Sequence, residues 1–444
     1  MIILLIFLFS ILFIVVTSTK LKVHPFLSLL AAAFLFGLLS GMPLEKILET
    51  INAGFGGTIG SIGIVIIAGI IIGAFLENSG GAQTLANIVL KIVGVKRVHT
   101  AMGLIGYMVS IPVFADSGFV ILSSLNRTLT KKAKLSLAGT AVALSLGLTA
   151  THTMVPPTPG PIAAAGIISA DLGLVIIIGL FTSMFGLIAS IIFAKNVAKR
   201  IFVDPQIETE ETKETPKSNY RPSGIKSLLP ILIPILLIVL RSVAAFPTHP
   251  FGEGEAQTIL SFIGNPVTAL FIGVIISFFL PEKFDKEMLS TSGWVGNALK
   301  SAAIIILITG AGGAFGKVLQ SSDIAKLLGD HLSGTSLGIW MPFLIAAAIK
   351  TAQGSSTVAI ITAASIVAPL LPAMGLDSDV SRAMAVVAIG AGSAVVSHAN
   401  DSFFWVYTQM SNMNINQGYR THTLGTFILG LSSMVILTIM SLIF

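Results

Sequence analysis

Thr151-His152-Thr153-Met154-Val155-Pro156-Pro157-Thr158-Pro159-Gly160-Pro161 stands inside an apolar run that extends from about 135 to 168. Four prolines in six residues remove backbone donors, so no helix continues through them. The flanks are apolar enough to lie inside a bilayer, where a span needs about 20 such residues. Unwound backbone at that depth is tolerated only where it is buried in protein or lines a cavity. The segment therefore predicts a discontinuous membrane helix built around a site. Pro156, Pro157, Pro159 and Gly160 make the break; Thr151 and Thr153 offer hydroxyls. His152 is either a ligand and proton group or a histidine pairing neighbouring helices.

The rest of the chain agrees with a membrane reading. Of 444 residues, 54% are apolar and 10% charged, against about 25% charged in soluble domains. A soluble globular protein, a disordered chain and a DNA-binding module are excluded. The absence of cysteine removes disulfides, thiolate nucleophiles and zinc-thiolate sites. An all-α polytopic membrane protein is expected, without cofactor or metal. Spans are predicted at about 1–16, 24–41, 55–76, 135–168, 174–194, 227–246, 257–280, 298–320, 380–410 and 422–444. The first is read as a retained helix, because no basic residue precedes it and Lys20 and Lys22 follow it.

The net charge of +6 is then a topology signal rather than a nucleic-acid footprint. Lys20/Lys22, Lys91/Lys96/Arg97, Arg127/Lys131/Lys132/Lys134 and the 195–226 loop are assigned to the cytoplasm. One span between 97 and 127 would put two of these clusters on opposite sides. The stretch 102–126 is therefore a re-entrant hairpin with Pro112, Asp116 and Ser117 at its tip, and 336–370 is a second. Nineteen of the 26 basic residues fall in inner loops under this arrangement, with both chain termini outside the cytoplasm.

The chain also resembles itself. Gly73-Ala74-Phe75 recurs as Gly313-Ala314-Phe315, a displacement of 240, and the tip Asp116-Ser117 is matched by Ser356-Thr357. Thr151-His152 is matched by Ser397-His398 at a displacement of 246. Two inverted repeats follow, 1–195 and 227–444, each of about five spans and one hairpin. They are joined by a cytoplasmic linker at 196–226 rich in Glu, Thr, Lys and Pro. The discontinuous helices are 135–168 in the first repeat and 380–410 in the second. Inverted repeats with broken helices mark secondary transporters, whose site lies near the midplane between the repeats.

Polar groups at membrane depth are costly and supply the site candidates. Asp116 is a proton site or hydroxyl acceptor, or else a cap on the second hairpin helix. At the second tip, Gln353, Gly354, Ser355, Ser356 and Thr357 expose a helix start that suits an anion. Lys350 balances a carboxylate or snorkels to the interface. Ser397-His398-Ala399-Asn400-Asp401-Ser402 is a polar run inside a span. There Asn400 and Asp401 read hydroxyls and His398 is a further proton group. Glu77, near a span end, is read as interfacial.

Together these stretches resemble the gluconate permease family of proton symporters. The likeness is carried by Gly41-Met42-Pro43-Leu44, Gly54-Phe55-Gly56-Gly57-Thr58, Ser79-Gly80-Gly81-Ala82-Gln83 and Val113-Phe114 through Gly118-Phe119. It continues in the His–Pro-Pro segment, Gly310 to Phe315, Gly354-Ser355 with Thr357-Val358-Ala359, and Ser397-His398 with Asn400-Asp401 and Trp405. The resemblance covers nearly the whole chain. It implies uptake of small hydroxylated acids such as gluconate, or D-serine in one branch, and an elevator-type ion-transporter fold. Departures are Asp116 where Glu is usual, Lys350 for Arg, Thr158 for a common His and Phe403 for Gly; Gln353 looks like the D-serine branch.

The expected function is proton-coupled symport of a small hydroxylated monocarboxylate across a bacterial inner membrane, by a homodimer or other homo-oligomer. Ser355, Ser356 and Thr357 would hold the carboxylate, Ser117 would also bind substrate, and Asp116, His152 or His398 would carry the proton. Alternatives are a D-serine, glycerate or lactate-type substrate, and Na⁺ coupling. A channel would need a continuous polar stripe, whereas the polar residues here cluster at four breaks. A membrane hydrolase could pair His152 with Asp116 or Asp401, but no H-E-x-x-H spacing is present.

Overall fold

A computed structural model describes residues 2–94, 97–205, 220–244, 254–322, 338–399 and 401–443. All regular structure among them is helical. The first half runs α1 (Ile2–Thr19), α2 (Pro25–Leu39), α3 (Leu44–Asn78) and α4 (Gly81–Val93), then α5 (Val98–Val109) with α6 (Ala115–Lys132). It closes with α7 (Leu137–Met154), α8 (Pro159–Ile168) and α9 (Leu172–Asn196). The second half has α10 (Gly224–Ala244), α11 (Glu255–Ile263), α12 (Pro266–Ser277) and α13 (Trp294–Gln320). After these come α14 (Trp340–Gln353), α15 (Ser356–Val367), α16 (Asp379–Ala394) and α17 (Ser402–Met410). Finally α18 (Ile415–Gly418) passes through a π-helical turn, Tyr419–Thr423, into α19 (Leu424–Ser441).

Five of these helices are long and apolar enough to cross a membrane, or six if α11 and α12, bent by 61°, count as one span. The span expected at 257–280 thus falls on two helices with a bend between them. Asn265 caps α12 by accepting from the Val267 amide, and Pro266 fills its first turn, where a missing N–H costs nothing. The span expected at 55–76 instead begins at Leu44; its 35 residues make a helix about 52 Å long. The amphipathic helix α4 was not foreseen, because its apolar stripe is too narrow to read as a span. Of the expected linker, 206–219 lie outside the described residues, as do 336 and 337 of the second hairpin.

Both hairpins and both breaks lie where proline, glycine and capping residues dictate. Val155 precedes Pro156 and is forced from helical to extended backbone (φ −124°, ψ 118°). Pro159 then opens α8 at its first position. In the second half the break is longer. Helix α16 ends at Ala394, and α17 resumes only after Asp401 caps it by accepting from the Phe403 amide at 3.0 Å. At the second tip, Ser355 caps α15 through the Val358 amide.

The long helices α3 and α13 pack against each other in opposite directions. Gly54 of α3 faces Gly313 and Ala314, whereas Phe75 meets Trp294 with ring centroids 5.1 Å apart. Packing is also reciprocal between the halves. Helix α2 touches α13 as α12 touches α3, α5 touches α7 as α14 touches α16, and α8 touches α15 as α17 touches α6.

At the crossing of α5 and α7 backbone meets backbone. A Cβ added at Gly147 would lie 2.1 Å from the Gly103 carbonyl oxygen, whereas one at the exposed Gly56 of α3 meets nothing within 4 Å. Gly147→Ala is therefore expected to destabilise by about 1–3 kcal/mol through overpacking. Gly56→Ala should be neutral or stabilising by up to about 1 kcal/mol, because alanine is the better helix former. Apparent Tm in detergent reads both, and equal Tm values for the two variants would sink the packing argument.

Candidate functional site

The two tips and two breaks close around one cavity of about 260 Å³. The first tip contributes Phe114 and Asp116, and the second Ser355, Ser356 and Thr357. From the broken helices come His152, Ser397 and Asp401, while Ile304, Ile305 and Ile308 of α13 form an apolar wall. The volume lies just under the range of about 300–1,000 Å³ typical of sites for drug-sized ligands, which suits a small metabolite.

Lys350 and Asp401 are the charged pair of this site. The Lys350 Nζ lies 2.6 Å from Asp401 Oδ2, with side-chain exposures of 1% and 8%. Lys350 also donates to the Gly354 carbonyl, tying the second tip to the second break. Asp401 Oδ2 accepts a further bond from Ser397 Oγ at 2.5 Å, and Oδ1 caps α17. A buried charge is tolerable only when paired and hydrogen-bonded like this. The open reading of Lys350 is thereby decided: it balances a carboxylate, that of Asp401. The carboxylate of Asp401, expected to read substrate hydroxyls, is already committed to Lys350, Ser397 and the helix cap.

The remaining polar groups are available. Asp116 lines the cavity without a hydrogen bond or ion pair among the described residues, and no side chain caps α6. His152 faces the same space; its Nδ1 is buried without a partner among the described residues and its ring stands 5.8 Å from that of Phe114. Ser356 and Thr357 open α15, so the free amides and positive dipole end of that helix point at the cavity.

Other expected site residues lie elsewhere. Thr151 Oγ1 donates to the Tyr107 carbonyl of α5 at 2.9 Å, joining two helices, and Thr153 Oγ1 to the Thr149 carbonyl of its own helix at 3.0 Å. Gln353 Nε2 donates to the Ser355 carbonyl at 3.2 Å, inside the tip, and Gly354 accepts from Lys350. Ser117 lines a second cavity of about 310 Å³ together with Glu77. His398 pairs with the Thr351 carbonyl at 2.9 Å and does not line the central cavity. The reason is register: Thr151-His152 lie on the helix before its break, whereas Ser397-His398 lie within theirs. Asn400 lies outside the described residues. Pro112 packs its carbonyl on Gly73, and Gly160 lets α8 approach Ile360 of the second hairpin.

One titratable residue of this cavity went unnoticed in the sequence. His422 is fully buried in the π-helical turn, stacked on Tyr407 at 4.8 Å. Its Nε2 is 3.0 Å from Ser397 Oγ and its Nδ1 3.2 Å from Ser145 Oγ. Because Ser397 gives its hydrogen to Asp401, Nε2 is the donor to Ser397. The signal was the polar Arg420-Thr421-His422-Thr423 run at the head of an apolar stretch, and π-turns recur at functional sites.

Known proteins match this chain along nearly its whole length. Residues 2–443 match the family model described as GntP family permease. A gluconate permease of Pseudomonas aeruginosa is 34% identical over 97% of this chain and 95% of its own. The D-serine transporter DsdX of Escherichia coli is 35% identical over 95% and 94%. Among solved structures, the YdaH transporter of Alcanivorax borkumensis superposes with a TM-score of 0.66 at 13% identity, covering 94% of this chain and 98% of that one. That likeness extends to the fold alone.

Proposed function

The chain belongs to the GntP permease family, transporters rather than enzymes, and from that premise we propose that it is a proton-coupled symporter of a small hydroxylated monocarboxylate. The observation that carries this reading is the convergence of both hairpin tips and both helix breaks on one cavity holding Asp116, unpaired among the described residues. The names of its relatives point to gluconate-like acids first, with D-serine second. The antiparallel α3 and α13, equivalent at a displacement of 240, support inverted repeats, and with them alternating access by an elevator-type movement.

In this mechanism the substrate carboxylate rests on the amides and hydroxyls of Ser355, Ser356 and Thr357. His152 Nδ1 hydrogen-bonds the bound acid, and Asp116 carries the coupling proton. The charges explain the coupling. Lys350 and Asp401 cancel, so an ionised Asp116 leaves the cavity at −1 and an anion would take it to −2. A proton on Asp116 removes one of those charges, so anion and proton favour each other's binding.

Proteoliposomes test this directly. An inward proton gradient alone should accumulate D-gluconate above equilibrium, and collapsing it with a protonophore should release the acid. Accumulation that follows an Na⁺ gradient at fixed pH instead would overturn proton coupling.

A further inference from the structure

Helix α13 runs past three cavities in succession. Trp294, Asn297 and Ser301 border the one that holds Glu77 and Ser117. Ile304, Ile305 and Ile308 border the central site, and Gly313, Gly316 and Lys317 border a third, of about 420 Å³. At 1.5 Å per residue, Lys317 lies about 13 Å along the helix from Ile308. The third cavity is lined by Lys317 and Arg382, with hydroxyls from Thr58, Ser61 and Ser169, and by no carboxylate among the described residues. Arg382 is half-buried, and its Nε has neither solvent nor a hydrogen-bond partner among the described residues. Asp377 and Asp379, close to it in the chain, are exposed and outside the lining.

Lys317 also stands 240 residues after Glu77, the displacement that relates Gly73-Ala74-Phe75 to Gly313-Ala314-Phe315. One position of the repeated long helix thus holds a carboxylate at one end of the file and an ammonium at the other. Two cations beside donors and no acid make a receiving surface for a hydroxylated anion. A carboxylate at the opposite end would repel the same anion.

We propose that Lys317 and Arg382 form a peripheral anion-binding vestibule, which captures the small hydroxylated carboxylate before it moves along α13 to the central cavity. This rests on the transport reading above. The vestibule raises the local concentration of the anion without touching it in the central site. It therefore acts on KM rather than on the turnover rate, and salt screens it.

D-Gluconate uptake into cells lacking their own gluconate permeases tests it with the full chain. Lys317→Gln/Arg382→Gln should raise KM about 3- to 10-fold, with Vmax within about twofold of wild type. Wild-type KM should rise with ionic strength, and the double variant should lose that dependence. Arg382→Lys, keeping the charge, should recover most of the affinity. Unchanged KM in the double variant, or a fall in Vmax alone, overturns the vestibule and leaves the transport reading intact. If wild-type cells take up neither D-gluconate, D-serine, glycerate nor lactate, the transport reading itself falls and the vestibule with it.

Discussion

Replacing Lys350 by methionine is expected to destabilise the protein by about 3–5 kcal/mol, the cost of leaving a buried carboxylate without its partner. Asp401 keeps its bonds to Ser397 and to the Phe403 amide, but neither supplies a positive charge. The ammonium also joins the second tip to the second break through Gly354 and Asp401. Its loss should therefore loosen two walls of the cavity and lower uptake at least about tenfold. The double variant Lys350→Met/Asp401→Asn separates charge from shape. Asparagine still caps α17, as one of the preferred residues at that position, and no charge is then stranded. It should recover at least half of the lost stability while remaining poor in transport. Thermal unfolding in detergent reads the first part and uptake the second. A Lys350→Met protein as stable as wild type would show that Asp401 is not held as an anion by Lys350.

The helix breaks were legible in the sequence because their causes are local. A proline run within an apolar stretch has few outcomes in a bilayer, and Val155 and Pro159 behave as the chain chemistry around them requires. The recurrence that pairs Asp116-Ser117 with Ser356-Thr357 singled out two segments that both line the central cavity. Register within a break was not. Ser397-His398 echoes Thr151-His152 as letters, yet the two helices end 240 residues apart, at Met154 and Ala394, whereas the pair is displaced by 246, so His398 falls inside the break and reaches the Thr351 carbonyl. Local hydrogen bonding also absorbed residues that sequence reasoning offered to the substrate. Thr151 and Thr153 are buried hydroxyls; the first satisfies the Tyr107 carbonyl of α5 and the second the Thr149 carbonyl of its own helix, a common fate for threonine in membrane helices. His422 escaped because its partners, Ser145 and Ser397, are 277 and 25 residues away, a separation no periodicity reports.

Changing Asp116 to asparagine should separate binding from coupling. A sphere of 260 Å³ is about 8 Å across, and two like charges at that spacing repel by about 2 kcal/mol at an effective dielectric of about 20. Ionising Asp116 beside a bound carboxylate therefore weakens binding by about 30-fold. The sign follows from charge alone. As pH rises and Asp116 loses its proton, wild-type Kd for D-gluconate should increase, because the empty cavity gains a negative charge. Asparagine resembles the protonated acid in shape and charge, so the variant should bind near the tight limit at every pH. It should also retain exchange of internal for external gluconate, since that needs no net proton movement. What it loses is accumulation, because no group in the cavity now takes up and releases the proton with each cycle. Uptake driven by a proton gradient should fall to the equilibrium level while counterflow stays within about tenfold of wild type. If the asparagine variant still concentrates gluconate under a proton gradient, the proton travels elsewhere, and His152, with its unpartnered Nδ1 in the same cavity, becomes the group to replace.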